Sequence, residues 1–194
     1  MLRIRGILSH KMEQKVTRKK VQNQFFDVKA PLTSSKISLY GPSMDALVGR
    51  VVRIDLSRNL RGRNLELVMK IKKEGEELVA DPEALALFGS YIRRMFRKGS
   101  DYVEDSFIAS CKDGDFVVKP FMLTRKKVPR SIRNSLRVMT RDYITGIMTT
   151  RTSLELFSDV MAGKIQKDLS FKLKKVYPLA FCEIRVFERH HKKK

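Results

Sequence analysis

Seven basic side chains, Arg125, Lys126, Lys127, Arg130, Arg133, Arg137 and Arg141, stand between positions 125 and 141 with no aspartate or glutamate among them. Drawn as a helix at about 100° per residue, Arg133, Arg137 and Arg141 fall on an arc of about 80°, while Ile132, Leu136, Met139 and Tyr143 fall on a separate arc of about 60°. One face can then enter a core while the other presents guanidiniums. On a solvated helix such cations are answered by acids one turn away. None is present here, so the face needs an anion from outside the helix, and the chemistry it offers is phosphate binding through charge-assisted hydrogen bonds and counterion release.

Three further groups of cations carry the same chemistry. Lys15, Arg18, Lys19 and Lys20 lie in a segment, Met1 to Lys20, whose single acid is Glu13; Arg58, Arg61 and Arg63 lie in a loop with a glycine turn; Arg93, Arg94, Arg97 and Lys98 follow an apolar stretch, where they could instead complement a helix C-terminus. Tyr91, Phe96 and Tyr102 could stack on bases, but aromatics at helical or strand spacing more often belong to a core, and we leave them out of the site. Catalysis finds little material. The three histidines lie near the ends of the chain, no glycine-rich phosphate loop is present, and Cys111 and Cys182 each sit alone in an apolar stretch. The acids at Glu74, Glu76, Glu77 and Asp81, and at Asp101, Glu104 and Asp105, read as solvated loop residues. We therefore expect a non-enzyme with no catalytic residue, no metal, no cofactor and no small-molecule substrate.

The elements that must position these cations can be drawn from period and punctuation. An aromatic extended segment, Gln24 to Pro31, reads as a first strand, and alternation supports strands at Val48 to Ile54 and Leu65 to Ile71. Asp81-Pro82-Glu83 is a helix-start signal, and Leu85, Phe88, Ile92 and Met95 at helical spacing predict a helix that Gly99 ends. Asp113-Gly114 joins Tyr102 to Cys111 and Phe116 to Leu123 as a hairpin. Helices are predicted from Ser131 to Thr149, from Thr152, where Glu155 completes a capping box, to Gly163, and from Lys164 to Val176. Ala180, Cys182, Ile184 and Val186 alternate as a last strand. The fold class expected is α+β, an antiparallel sheet or partial barrel with several helices and basic terminal arms, organised as an arm over 1–24, a single domain over 25–189 and a basic tail over 190–194.

The whole sequence of 194 residues holds 41 Lys+Arg against 21 Asp+Glu, a formal net charge of +20, beside 42% hydrophobic residues. That composition supports an ordinary core wrapped in uncompensated cations, and the natural counter-charge is a nucleic acid. No apolar run approaches 18 residues, which disfavours a membrane partner. The basic N-terminal segment reads as an RNA-binding arm, with an organelle transit peptide as the alternative.

Particular strings narrow this. Phe26-Asp27-Val28-Lys29-Ala30-Pro31, Gly49-Arg50-Val51 with Ile54 and Leu56, Lys112-Asp113-Gly114, Ile147-Met148-Thr149, Ile165-Gln166-Lys167-Asp168-Leu169 and Tyr177-Pro178-Leu179 stand in this order from Phe26 toward Val186. Their order and mutual spacing resemble the eukaryotic-type "protein one" family of small-subunit ribosomal proteins, also called S-three-A. The resemblance implies an α+β protein on the platform of the small subunit that binds rRNA near the mRNA exit region, supports translation and adjoins other small-subunit ribosomal proteins, with mRNA as a further contact. It implies a cytoplasmic, ribosomal location, with nucleolar assembly if the source is eukaryotic. Arg125, Lys126, Lys127, Ile132, Arg133 and Arg141 occupy positions comparable to the family's basic stretch after the hairpin. The stretch after the last strand is shorter than the family's, so contacts by a longer tail are not implied. Two other readings of the charge are a DNA- or chromatin-binding module and an RNA-modifying enzyme or its accessory subunit.

Overall fold

The computed structural model describes residues 22–33, 36–60 and 62–191. Lys15, Arg18, Lys19, Lys20, Arg61 and the tail residues 192–194 lie outside the described residues. β1 (Gln24–Lys29) and β2 (Ile37–Gly41) form an antiparallel hairpin in which Val28 meets Ile37 on the buried side, while Phe25 and Tyr40 meet on the exposed side with ring centres 5.0 Å apart. A 3-10 turn at Asp45–Leu47 leads to β3 (Val51–Asp55), which pairs antiparallel with β4 (Leu65–Glu74). Leu65, Leu67, Met69 and Ile71 turn inward from β4 at the two-residue period of a strand with one dry face.

The segment after β4 departs from the helix predicted at Asp81. It is instead β5 (Glu77–Leu87), reached through Gly75 at φ +64°, and the only helix in the region is the short α1 (Gly89–Met95). Leu78, Ala80 and Pro82, then Leu85 and Leu87, are buried in alternation, a pattern that a proline and two acids at a start signal conceal. A cap signal contributes only about 1 kcal/mol. The ladder from β5 to β4 runs from Glu74↔Glu77 to Leu65↔Leu87 and outweighs it. Pro82 fits because the register shifts beside it: Ala84 faces Val68 and Pro82 faces Met69, leaving Glu83 as the extra residue of a bulge.

The sheet forks at β5. Its first half runs parallel to β1 at Val28↔Leu78 and Lys29↔Val79. Its second half pairs antiparallel with the last strand, β9 (Leu179–Arg189), at Ala84↔Glu188 to Ala86↔Val186. Between them lie β6 (Tyr102–Glu104), β7 (Phe107–Cys111) and β8 (Gly114–Thr124), then α2 (Arg130–Met148), α3 (Ser153–Ala162) and α4 (Lys164–Leu173), before β9 (Leu179–Arg189) pairs along the length of β8. The hairpin about Asp113-Gly114 is as expected, except that its first arm breaks at Asp105–Ser106 opposite Pro120, which has no N–H for the ladder.

The sheet is mixed, mostly antiparallel and open rather than a closed barrel, and the α+β class expected holds. The core lies between β5, β8, β9 and the three long helices. There Phe116 stacks on Phe187 at 4.9 Å, and Phe157 meets both rings edge-on at 5.8 and 5.0 Å. All three are sealed from water, and truncation of any one to alanine costs about 3–5 kcal/mol.

Candidate nucleic-acid interface

Two clefts open side by side where α1, the end of β8, the start of β9 and α4 converge. One, of about 500 Å³, is lined by Arg63, Arg125, Lys167 and Lys174 among its basic groups. The other, of about 450 Å³, is lined by Arg94, Arg97 and again Arg125. Arg125, Ala180 and Phe181 belong to both, so the clefts share a wall. Cations from the loop before β4, from α1, from the β8–α2 turn and from α4 thus meet at one end of the fold, although the sequence separates them widely.

Local bonds fix the turn that carries Arg125. The buried Thr124 hydroxyl lies 2.8 Å from the Asp101 carbonyl and 2.7 Å from the Lys126 carbonyl, with one proton to share between them, and it accepts from the Asp101 N–H at 3.0 Å. Asp101 in turn accepts from the Val128 N–H at 3.0 Å. Arg125, Lys126 and Lys127 are exposed beyond this anchor, and α2 begins at Arg130 with no acid in its first turn and no side-chain cap. Its unpaired N–H groups and the cations beside them add to the same positive field.

Among the described residues, Arg94, Arg97, Arg125, Lys167 and Lys174 have no acidic partner within ion-pair distance, and the same is true of Arg58, Arg93, Lys98, Lys126, Lys127 and Arg130. The exception in the cleft is Arg63. Its Nε lies 3.1 Å from Glu183 Oε1, with the two side chains only 18% and 9% exposed, and its Nη1 reaches the Met161 carbonyl at 3.4 Å. The guanidinium also presses on the α3–α4 corner, where a Cβ on Gly163 would sit 1.9 Å from Arg63 Nη2; Gly163 is in addition left-handed at φ +72°. Arg63 therefore works inside the fold. Burial holds the Glu183 carboxyl above its usual range, with Arg63 and then Gln166 opposing that shift. Burial, helped by the charge of Glu183, pushes the Cys182 thiol up to about 12, which leaves it unreactive at neutral pH.

The α2 face is placed differently from its sequence expectation. Leu136, Thr140, Ile144 and Met148 are the buried stripe, an arc of about 120° that takes in the angular position of Arg137, while Met139 is 37% exposed. The buried Thr140 hydroxyl explains why the sequence hides this: it is 2.6 Å from the Leu136 carbonyl, so a polar residue satisfied within its own helix stands in an apolar row. The arginine arc consequently borders β6 and β7. Arg137 Nε donates to the Glu104 carbonyl at 3.1 Å, Arg141 Nη2 bonds both oxygens of Asp105 at 3.1 and 2.9 Å while its Cζ lies 5.5 Å from the Phe107 ring centre, and Arg133 Nε is buried without a partner among the described residues. The acid missing from the helix, Asp105, arrives from the link between β6 and β7.

Of the aromatics set aside, Tyr91 packs inside against Phe181 at 5.9 Å, whereas Phe96 and Tyr102 are exposed and meet edge-on at 5.6 Å. Sequence reasoning missed Lys167, Phe171 and Lys174. The available signal was an aromatic off the Ile165, Leu169, Leu173 stripe of α4, flanked by lysines.

The chain matches the Ribosomal S3Ae family over residues 9–192. It is 27% identical over 173 residues to the small ribosomal subunit protein eS1 of Nanoarchaeum equitans, covering 84% of this chain and 86% of that protein. It is 27% identical over 146 residues to the protein of the same name from Methanothermobacter thermautotrophicus, 72% of this chain and 74% of the relative. A third relative with that name, from Saccharolobus islandicus, is 27% identical over 169 residues, 83% and 81% of the two chains.

Proposed function

The chain belongs to the Ribosomal S3Ae family, and from that premise we propose that it is a structural constituent of the small ribosomal subunit that binds ribosomal RNA through the two basic clefts. The family consists of structural components, not enzymes, and favours neither the DNA- or chromatin-binding reading nor the RNA-modifying one. One observation supports the clefts above other surfaces: cations from four separate segments meet there with, among the described residues, no acid to answer them except Glu183, which Arg63 already occupies. Such groups bind the phosphate backbone and its shape more than base identity. The proposal extends to a place on the platform near the mRNA exit region, to contact with neighbouring small-subunit proteins and mRNA, and to residence on cytoplasmic ribosomes, with nucleolar assembly in a eukaryote. Lys15, Arg18, Lys19 and Lys20, with Arg61, would add phosphate contacts.

The test is to replace Arg94, Arg97 and Arg125 together by glutamine. These side chains are exposed, so the melting temperature should hold, while co-sedimentation with small ribosomal subunits falls. The logarithmic salt slope of binding to ribosomal RNA should flatten by about 0.7 to 0.9 per lost phosphate contact. Unchanged co-sedimentation with an unchanged slope would sink the assignment of the clefts.

A further inference from the structure

Lys167, Phe171 and Lys174 follow one another at four- and three-residue spacing and share one face of α4, while Ile165, Leu169 and Leu173 enter the core. Phe171 is 73% exposed. A single exposed apolar side chain is ordinary, but this ring stands at the mouth of the 500 Å³ cleft with Arg125 and the Pro178–Phe181 segment also lining it. The volume is within the range of about 300–1,000 Å³ that holds single small ligands. The floor supplies an independent sign. Gln166, 3% exposed, also lines the cleft; its Nε2 donates to the Val160 carbonyl at 3.0 Å, which fixes the orientation of the amide, and its Oε1 is left buried without a donor among the described residues. A buried acceptor of this kind destabilises the protein until an N–H reaches it.

Cations, an exposed ring between two of them, and an acceptor awaiting a donor match the phosphate, the base face and the base edge of a nucleotide. We propose that this cleft takes one unpaired nucleotide of an RNA strand, its base against Phe171 with an N–H edge toward Gln166 and its phosphates on Arg125, Lys167 and Lys174. The proposal rests on the reading of the chain as a ribosomal-RNA binder and narrows that reading to a single-stranded or bulged segment at this cleft. An acidic peptide would satisfy the cations but would leave the ring and the amide without their partners.

The full chain is titrated, by fluorescence anisotropy at low ionic strength, with a short abasic ribose–phosphate strand, with the same strand carrying one central adenine, and with a duplex RNA. The single base should tighten binding about 5- to 100-fold, the range of one base stacked on an aromatic side chain. Phe171→Ala should erase that gain while leaving duplex binding and the salt slope unchanged, Phe171→Trp should keep the gain, and Lys174→Gln should weaken both strands alike. Equal binding of the two strands by the wild type, or a gain that survives Phe171→Ala, overturns the base site; so does displacement of the strand by a polyglutamate peptide as readily as by unlabelled RNA. If Lys174→Gln still flattens the salt slope in those cases, the phosphate-binding reading stands by itself. If no RNA binds at all, both fall.

Discussion

Arg137 and Arg141 on α2 carry the same guanidinium as Arg94, Arg97 and Arg125 at the clefts, yet the two sets are used in opposite ways. On the α2 flank Arg137 and Arg141 each meet an acceptor from outside the helix, the Glu104 carbonyl and the Asp105 carboxylate, with Arg185 and Lys119 similarly paired to Glu104 and Glu188 nearby. At the clefts no such acceptor reaches Arg94, Arg97 or Arg125 among the described residues. Among the described residues, acids therefore answer cations that hold α2 and β9 to the neighbouring strands, whereas Arg94, Arg97 and Arg125 at the clefts are left without one. A net charge of +20 is a property of the whole sequence; which cations make up the surplus is a property of the fold.

Arg63 is the sharpest place to break that contrast, because it lines a cleft but is paired within the fold. Arg63→Met should cost about 3–5 kcal/mol, since it strands Glu183 as an unpaired buried acid, and Arg63→Met with Glu183→Met should recover much of the loss. The pH dependence has a defined sign. Burial raises the Glu183 pKa, so the folded chain binds that proton at a higher pH than the unfolded chain does, and this group favours folding increasingly as pH falls and less as it rises. With the Arg63 charge removed the pKa rises further, so the defect of Arg63→Met should be largest at neutral pH and above and should shrink on acidification. Denaturant melts across pH read this directly. A variant with wild-type stability and a flattened RNA salt slope would move Arg63 into the binding set.

The second break falls on α2. Arg137→Gln with Arg141→Gln should lower stability by under about 1 kcal/mol per pair, because Arg141 is half exposed and its ion pair is screened. The RNA salt slope should change less than it does for the cleft variants. A slope loss as large as theirs would return the α2 face to the interface that its sequence implies.

These cases show what the sequence can and cannot display. The elements that close on local signals were legible: the hairpin at Asp113-Gly114, the capping box at Thr152 and Glu155, the stop at Gly163 and the α+β class. Residues 81–87 were misread because the start signal is local, whereas the β4 ladder that overrules it depends on residues up to 22 positions away. The α2 rotation was missed because Thr140 conceals an inward position, and the internal pairing of Arg63 because its partner, Glu183, is distant in the chain. Which of many cations are free is decided by such long-range pairings, so composition identified the ligand class while the site needed the fold.

The smallest expected effect comes from the starts of α2 and α3, which differ in the same way as the two arginine sets. The α3 start is neutralised twice: Glu155 accepts from the Thr152 N–H at 3.1 Å, and Asp113 accepts from the Ser153 N–H at 2.7 Å. Those backbone bonds are the main reason both carboxyls are held below their usual range. The α2 start has Arg125, Lys126, Lys127 and Arg130 around it and no acid in its first turn. If that imbalance serves only the fold, an acid there should be neutral or harmful; if it serves RNA, the acid should help folding and harm binding. Ser131→Glu, at an exposed position in the first turn, is expected to raise stability by about 0.3–1 kcal/mol through the helix dipole and the surrounding cations while weakening RNA binding at low salt. Thermal melts and RNA titrations on the same variant would separate the two, since a gain in stability without a loss of affinity would remove the α2 start from the binding surface.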